Sequence, residues 1–208
     1  MPGAFGVRRK TRLVHGVGIN DADYVTQKKI KDENGMVRVE YCPFYQTWIN
    51  MLKRCYSSAY QSVQTTYIGC SVCEEWRRFS SFRGWMMSQK WEGMQLDKDH
   101  TSPGNKIYSP DFCVFIPQAL NLFLNDQRRQ RGEWPIGVTY NKRSRVFIAQ
   151  CCNPFSGQYE NLGRHKTPEL AHEAWRKAKH RHACRYADMQ TDPRIAAALR
   201  IRYLMEDL

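Results

Sequence analysis

The sequence predicts an α+β protein, and three features of its 208 residues carry that expectation. Between Cys42 and Met86, apolar residues recur at spacings of three and four, the period of helices with one buried face. From Met94 to Asp126 the chain reads strand, loop, strand, helix. Beyond a charged connector, short runs of strand-forming residues separated by turn residues lead into further helix.

Residues 1–37 are polar, carry Gly3, Gly6, Gly16, Gly18 and Gly35, and show no sustained period, which predicts an N-terminal arm. Segment 38–126 opens with Phe44, Trp48, Met51, Leu52 and Cys55 on one face of a helix that Pro43 is suited to start. Ser57–Thr66 reads as a polar loop. Val72, Trp76, Phe79, Phe82, Trp85 and Met86 then predict a second helix whose aromatic stripe belongs to the core. Met94–His100 is a short strand ending in acidic and imidazole groups, and Thr101–Pro110 has the composition of a loop. Cys113–Ile116 predicts a second strand stopped by Pro117, with a helix from Gln118 to Asp126.

The connector Gln127–Glu133 lacks apolar residues and marks a domain boundary. In segment 134–185, Gly137–Tyr140 and Arg145–Cys151 are strand-like runs around the basic turn Asn141–Ser144, and Gly157 leads into a third strand, Tyr159–Gly163. Gly137 and Gly163 are expected to turn the chain at strand ends. Thr167 is a helix N-cap with Pro168 in the first position, and Leu170, Ala174, Trp175 and Ala178 share a face expected to pack behind the sheet. Segment 186–208 is expected to close the chain with a helix from Pro193.

A hydrophobic fraction of 42% with 25% charged residues is that of a globular chain rather than a disordered one. No apolar stretch approaches the roughly 18 residues of a membrane span. Met1–Arg12 has basic residues with no apolar run after them, so no secretory signal is expected and the location is expected to be cytoplasmic. Thirty-two Lys and Arg against 20 Asp and Glu give a net charge of +12. The excess is concentrated between Arg128 and Arg185, where 13 basic residues meet 4 acidic ones. Such a surface favours a polyanion, nucleic acid above all. Eight cysteines without a secretory signal are expected to be thiols packed against aromatics, or metal ligands.

The chemistry-bearing constellation is Asp99-His100 at a strand end, followed by Asn121 near the start of a helix. An imidazole can deprotonate water, while a carboxylate and an amide oxygen can hold a hard divalent cation. Phosphodiester hydrolysis needs that pair of functions, a base for the nucleophile and a metal for the developing charge. Cys70 and Cys73 form a single CxxC pair, a possible half of a structural zinc site that is not favoured without a second pair. His165, His172, His180 and His182 lie in a basic segment and are expected to meet phosphate or solvent rather than metal.

The segment Leu96-Asp97-Lys98-Asp99-His100, Gly104-Asn105-Lys106, Val114-Phe115-Ile116-Pro117 and Asn121 resembles the HNH nucleases, also called ββα-metal or His-Me finger, and among them the phage H-N-N homing endonucleases. That resemblance implies a ββα-metal core with flanking helices. It makes His100 the general base, and Asp99 and Asn121 the ligands of Mg2+ or Mn2+. The family's middle Asn sits just before the second strand. Phe112 stands there in this chain, and Asn105 is the substitute within the loop. Gly137-Val138, Phe147-Ile148-Ala149, Leu162-Gly163 and Thr167–Trp175 resemble an AP2-type DNA-binding domain, a three-stranded sheet backed by a helix. Lys142, Arg143, Arg145 and Arg164 would then contact double-stranded DNA. Together the resemblances imply a phage endonuclease acting in the host cell. The alternative is a non-catalytic DNA-binding or regulatory protein on a decayed HNH scaffold.

Overall fold

The computed structural model describes residues 13–125 and 133–204. The start of the expected arm, most of the connector Gln127–Glu133, Asp126 and the last four residues lie outside the described residues. The elements mix helix and strand, in keeping with the α+β expectation. The chain forms two compact units. The first runs to Glu92 and takes in Gly104–Phe115, and the second comprises Gly93–Pro103 and the chain from Ile116 onward. Segment 38–126 is therefore shared between the two.

The first unit begins with a hairpin of β1 (Gln27–Lys31) and β2 (Val37–Tyr41), antiparallel with Lys29 opposite Val39. This ribbon begins within the expected arm, at Gln27, and runs past its end to Tyr41. Neither strand buries a face; β2 alternates apolar and polar residues, Val37-Arg38-Val39-Glu40-Tyr41, but β1 shows no such period. Helix α1 (Pro43–Tyr56) follows with Pro43 at its start and Tyr45, Trp48, Met51, Leu52 and Cys55 buried. Ser57 caps a short helix α2 (Ser58–Val63), its hydroxyl accepting the Tyr60 N–H at 3.3 Å, where a loop was expected. That cap satisfies one of the amides a helix start leaves bare.

The second expected helix is shorter than its stripe. Val72 lies in β3 (Ser71–Val72), Trp76 in a 3-10 turn, and only Phe79–Met87 forms α3. Ile19 is the cause. Its N–H donates to the Arg77 carbonyl at 2.8 Å and its carbonyl accepts the Phe79 N–H at 3.0 Å, so this backbone is bound laterally rather than along a helix. The stripe is nevertheless core, with Trp76, Phe79, Phe82 and Met86 all buried. Indole Nε1 of Trp48 donates to the Trp76 carbonyl at 2.7 Å, so the buried polar group has its partner. Strand β5 (Ile107–Tyr108) pairs in parallel with β3, within the stretch expected to be a loop.

In the second unit, β4 (Met94–Asp97) leads into the Asp99-His100 segment. Strand β6 (Val114–Pro117), whose first two residues belong to the first unit, pairs with β4 and runs directly into α4 (Gln118–Leu124), the expected second strand and helix, with β5 interrupting the expected loop before them. A three-stranded antiparallel sheet follows, in the order β7 (Val138–Asn141), β8 (Val146–Cys152), β9 (Tyr159–His165). Helix α5 (Pro168–Asp188) packs along it, with Thr167 Oγ1 accepting the Leu170 N–H at 3.3 Å as its cap. Helix α6 (Pro193–Ile201) lies against α5.

Three expectations change here. The buried face of α5 is Ala171, Trp175, Ala178 and His182, whereas Leu170 is 49% exposed. One residue is a rotation of about 100° on a helix, enough to move a side chain from core to solvent. Helix α5 runs unbroken through the expected boundary at residues 185 and 186. Gly163 lies inside β9 rather than at its end, at an irregularity between Ile148 and Gln150 in the β8–β9 ladder. Gly137 does turn the chain before β7, with φ of +79°.

Candidate functional site

The Asp99-His100 segment is built by Asp97, the last residue of β4. Its Oδ1 accepts the N–H of Asp99 at 2.9 Å and of His100 at 2.6 Å, closing the chain into a tight turn. The turn exposes Asp99 and drives His100 inward. Asp99 is 52% exposed in its side chain and pairs with the ammonium of Lys98, itself nearly buried. The His100 ring is 2% exposed, and neither ring nitrogen has a hydrogen-bond partner of full geometry. Burial pushes its imidazole below the ordinary 6.5; Asp97 pulls the other way, Arg202 adds to the depression, and the Ile195 backbone and Asp192 oppose it. The ring therefore favours its neutral form, and in this arrangement it is covered rather than presented to water.

Asn121 stands on α4 beside β4, where its Nδ2 donates to Oε1 of Gln95 at 2.7 Å. That bond leaves the carbonyl oxygen as the atom suited to a cation. Asn105 belongs to the first unit and holds its own loop, accepting the Ile107 N–H at 3.1 Å and donating to the Ile107 carbonyl at 2.7 Å. Thus Asp99, His100 and Asn121 fall in one unit while Asn105 and Phe112 fall in the other. Among the described residues, no group of three or more His, Cys, Asp or Glu is gathered to hold a metal.

Cys70 and Cys73 flank β3 in the first unit, and no disulfide joins any cysteine among the described residues. Burial raises the Cys73 thiol, with Glu75 and Asp111 adding to the rise and the Trp76 and Glu75 backbone opposing it. A raised thiol is the less ready ligand, since metals bind thiolate. The histidine run is not solvent-facing as expected. His172 stacks on Trp175 and bonds the Ile136 carbonyl at 2.9 Å, and His182 is buried 3.4 Å from Glu160. Only His182 of the four is buried; His165, His172 and His180 are half-buried.

The β7–β8–β9 sheet has two unlike faces. Ala149 and Cys151 point toward α5 and are buried, and burial pushes the Cys151 thiol up to about 11. The register sets the other face: Thr139 opposite Ile148, Ile148 opposite Arg164, Gln150 opposite Asn161, Cys152 opposite Tyr159. Tyr159 is 75% exposed, and Thr139, Gln150, Asn161 and Arg164 are exposed as well. None of these outward residues is acidic. At the end of this face, Asn141 Oδ1 accepts the N–H groups of Arg143 and Ser144 at 3.0 and 3.1 Å and forms the β7–β8 turn. Lys142, Arg143 and Arg145 are all exposed on that turn. Arg145 has φ of +54°, a conformation that costs a side chain of order 1 kcal/mol where glycine would pay little.

The four predicted DNA-contacting residues are therefore brought to one end of one exposed face. Sequence reasoning missed Asp97, Gln95 and the outward amides Gln150 and Asn161. For Gln150 the signal was present, because period-two alternation along β8 sets it opposite in face to Ala149 and Cys151.

No protein family, no curated protein and no solved structure matches this chain. No helix among the described residues is long and apolar enough to cross a membrane.

Proposed function

We propose that this chain is a duplex-DNA-binding protein of the phage HNH type, with the outer face of β7–β8–β9 and its basic turn as the reader. The observation that carries this reading is the grouping of Lys142, Arg143, Arg145 and Arg164 at one end of an exposed face without acidic residues. Phosphates are met by cations, and base edges are met by planar side chains able to make paired hydrogen bonds. The turn supplies the first. Arg164, Gln150 and Asn161 supply the second. The net charge of +12 adds long-range attraction. Fluorescence anisotropy with a labelled duplex tests it: the chain binds, and replacing the four basic residues with Ala removes most of the affinity. Equal affinity of that variant overturns the reading.

A second reading, metal-dependent cleavage of DNA, is favoured by one observation. Half-exposed Asp99 comes just after β4, and Asn121 lies on the helix that β6 runs into, the order the HNH resemblance implies. Mg2+ or Mn2+ would then sit between them, and His100 would have to leave its cover to act as base. Supercoiled plasmid incubated with Mn2+ decides. Nicking that is lost in His100→Ala establishes the nuclease, and intact plasmid leaves His100 a structural residue.

A further inference from the structure

The β1–β2 ribbon stands apart from the function so far described. Its ten strand residues are all exposed or half-exposed on both faces, and no other strand pairs with it among the described residues. A two-stranded ribbon with no covering layer is marginal in stability and gains from a partner. Four cations sit on it, Lys28, Lys29, Lys31 and Arg38. Only Lys28 has a carboxylate across the ribbon, Glu40 at 2.8 Å. Lys29, Lys31 and Arg38 face Val39, Val37 and Ile30 instead, so no cross-strand partner neutralises them. Val37 and Val39, 52% and 42% exposed, share one face with Lys29 and Lys31, while Arg38 stands on the other face beside Ile30 and Glu40.

We infer that this ribbon is a second DNA-contacting element, a site for duplex phosphates distinct from the β7–β8–β9 face; the inference rests on the DNA-binding reading above. The major groove admits a two-stranded ribbon, and exposed methyl groups beside cations suit the thymine methyl and phosphates that line it. The ribbon meets DNA along its strands rather than by its tip. The tip carries Asp32 and Glu33, and the Asp32 carboxylate is already spent on the N–H groups of Asn34 and Met36 at 3.0 and 2.8 Å.

The test uses the full chain and a duplex, with affinity measured across salt concentrations. Each phosphate contact contributes about 0.9 to the slope of log affinity against log salt. Lys29→Ala/Lys31→Ala/Arg38→Ala is expected to make that slope shallower by roughly 2 to 3, and Lys29→Arg/Lys31→Arg/Arg38→Lys to restore it. An unchanged thermal melt shows that the exposed substitutions leave the fold intact. If the unaltered chain binds and only the β7–β8 turn variant weakens it, the ribbon inference falls while the DNA reading stands. If the unaltered chain does not bind DNA, both fall. If sedimentation shows a dimer that the triple Ala variant dissolves, a second copy occupies the ribbon and the inference is overturned.

Discussion

Arg164 stands directly opposite Ile148 across the β8–β9 ladder, on the face turned away from α5. Simple alternation from outward Asn161 would point Arg164 inward, toward the helix. The ladder pairs Ile148 with Arg164 and Gln150 with Asn161, so β9 spends one more residue than β8 over that interval. A bulge of one residue reverses the parity of every side chain beyond it. Gly163, at φ of +103°, sits in that interval. The bulge is what delivers a cation to the face.

Gly163→Val should therefore harm both fold and binding. A branched side chain at that φ is strained by about 1–3 kcal/mol, and relief by slipping the register would turn Arg164 away from the outer face proposed to bind DNA. Thermal unfolding and duplex affinity measured together check this. Loss of stability with binding retained at temperatures where the variant is folded would separate the bulge from the function.

Gly137 answers a different need. A Cβ there would stand 2.0 Å from Cδ1 of Trp175, and its φ of +79° already disfavours any side chain. Gly137→Ala should destabilise by about 2–4 kcal/mol through overpacking and strain. A shift in denaturation midpoint worth less than about 0.5 kcal/mol would show that Trp175 yields easily.

Asp97 should matter as an acceptor more than as a charge. Asp97→Ala strips the amides of Asp99 and His100 of their partner and should cost about 1–3 kcal/mol, whereas Asp97→Asn keeps an acceptor oxygen and should recover much of it. Equal loss in both variants would mean that the carboxylate's charge is what counts.

His100 gives the fold a pH dependence with a definite sign. Its folded imidazole titrates below the ordinary 6.5, so between 6.5 and that lower value the unfolded chain holds more protons. Stability is full above 6.5 and declines as the pH falls through it, by at most about 1.4 kcal/mol per pH unit for each such group. His182 is lowered as well, chiefly by burial, and adds in the same sense. Denaturant melts from pH 7 to 5 should show the decline, and His100→Leu should flatten it. An identical slope in that variant would place the titration elsewhere.

How far the fold could be read from the residues depended on whether a face was buried. Helix α1 and the Thr167-Pro168 start of α5 were legible because a stripe or a cap marks each in its own residues. The β1–β2 ribbon was half legible at most: Val37–Tyr41 alternates apolar and polar residues, but Gln27–Lys31 does not, because neither strand meets a core that would demand it. The break before α3 was hidden for another reason: Ile19, 58 residues away from Arg77, supplies the bonds that prevent the helix. At the candidate site, the basic turn could be read from its run of charges. The burial of His100 could not, because it follows from a turn closed by Asp97, and Arg202 and Asp192, which act on its ring, come from the far end of the chain.

Whether the outer face of β7–β8–β9 grips duplex DNA is decided by the salt dependence of binding in the full chain. Lys142→Ala/Arg143→Ala/Arg145→Ala should make the slope of log affinity against log salt shallower by roughly 2 to 3, about 0.9 for each phosphate the turn no longer neutralises, with its thermal melt unchanged. A slope equal to that of the unaltered chain would mean that the β7–β8 turn meets no phosphates.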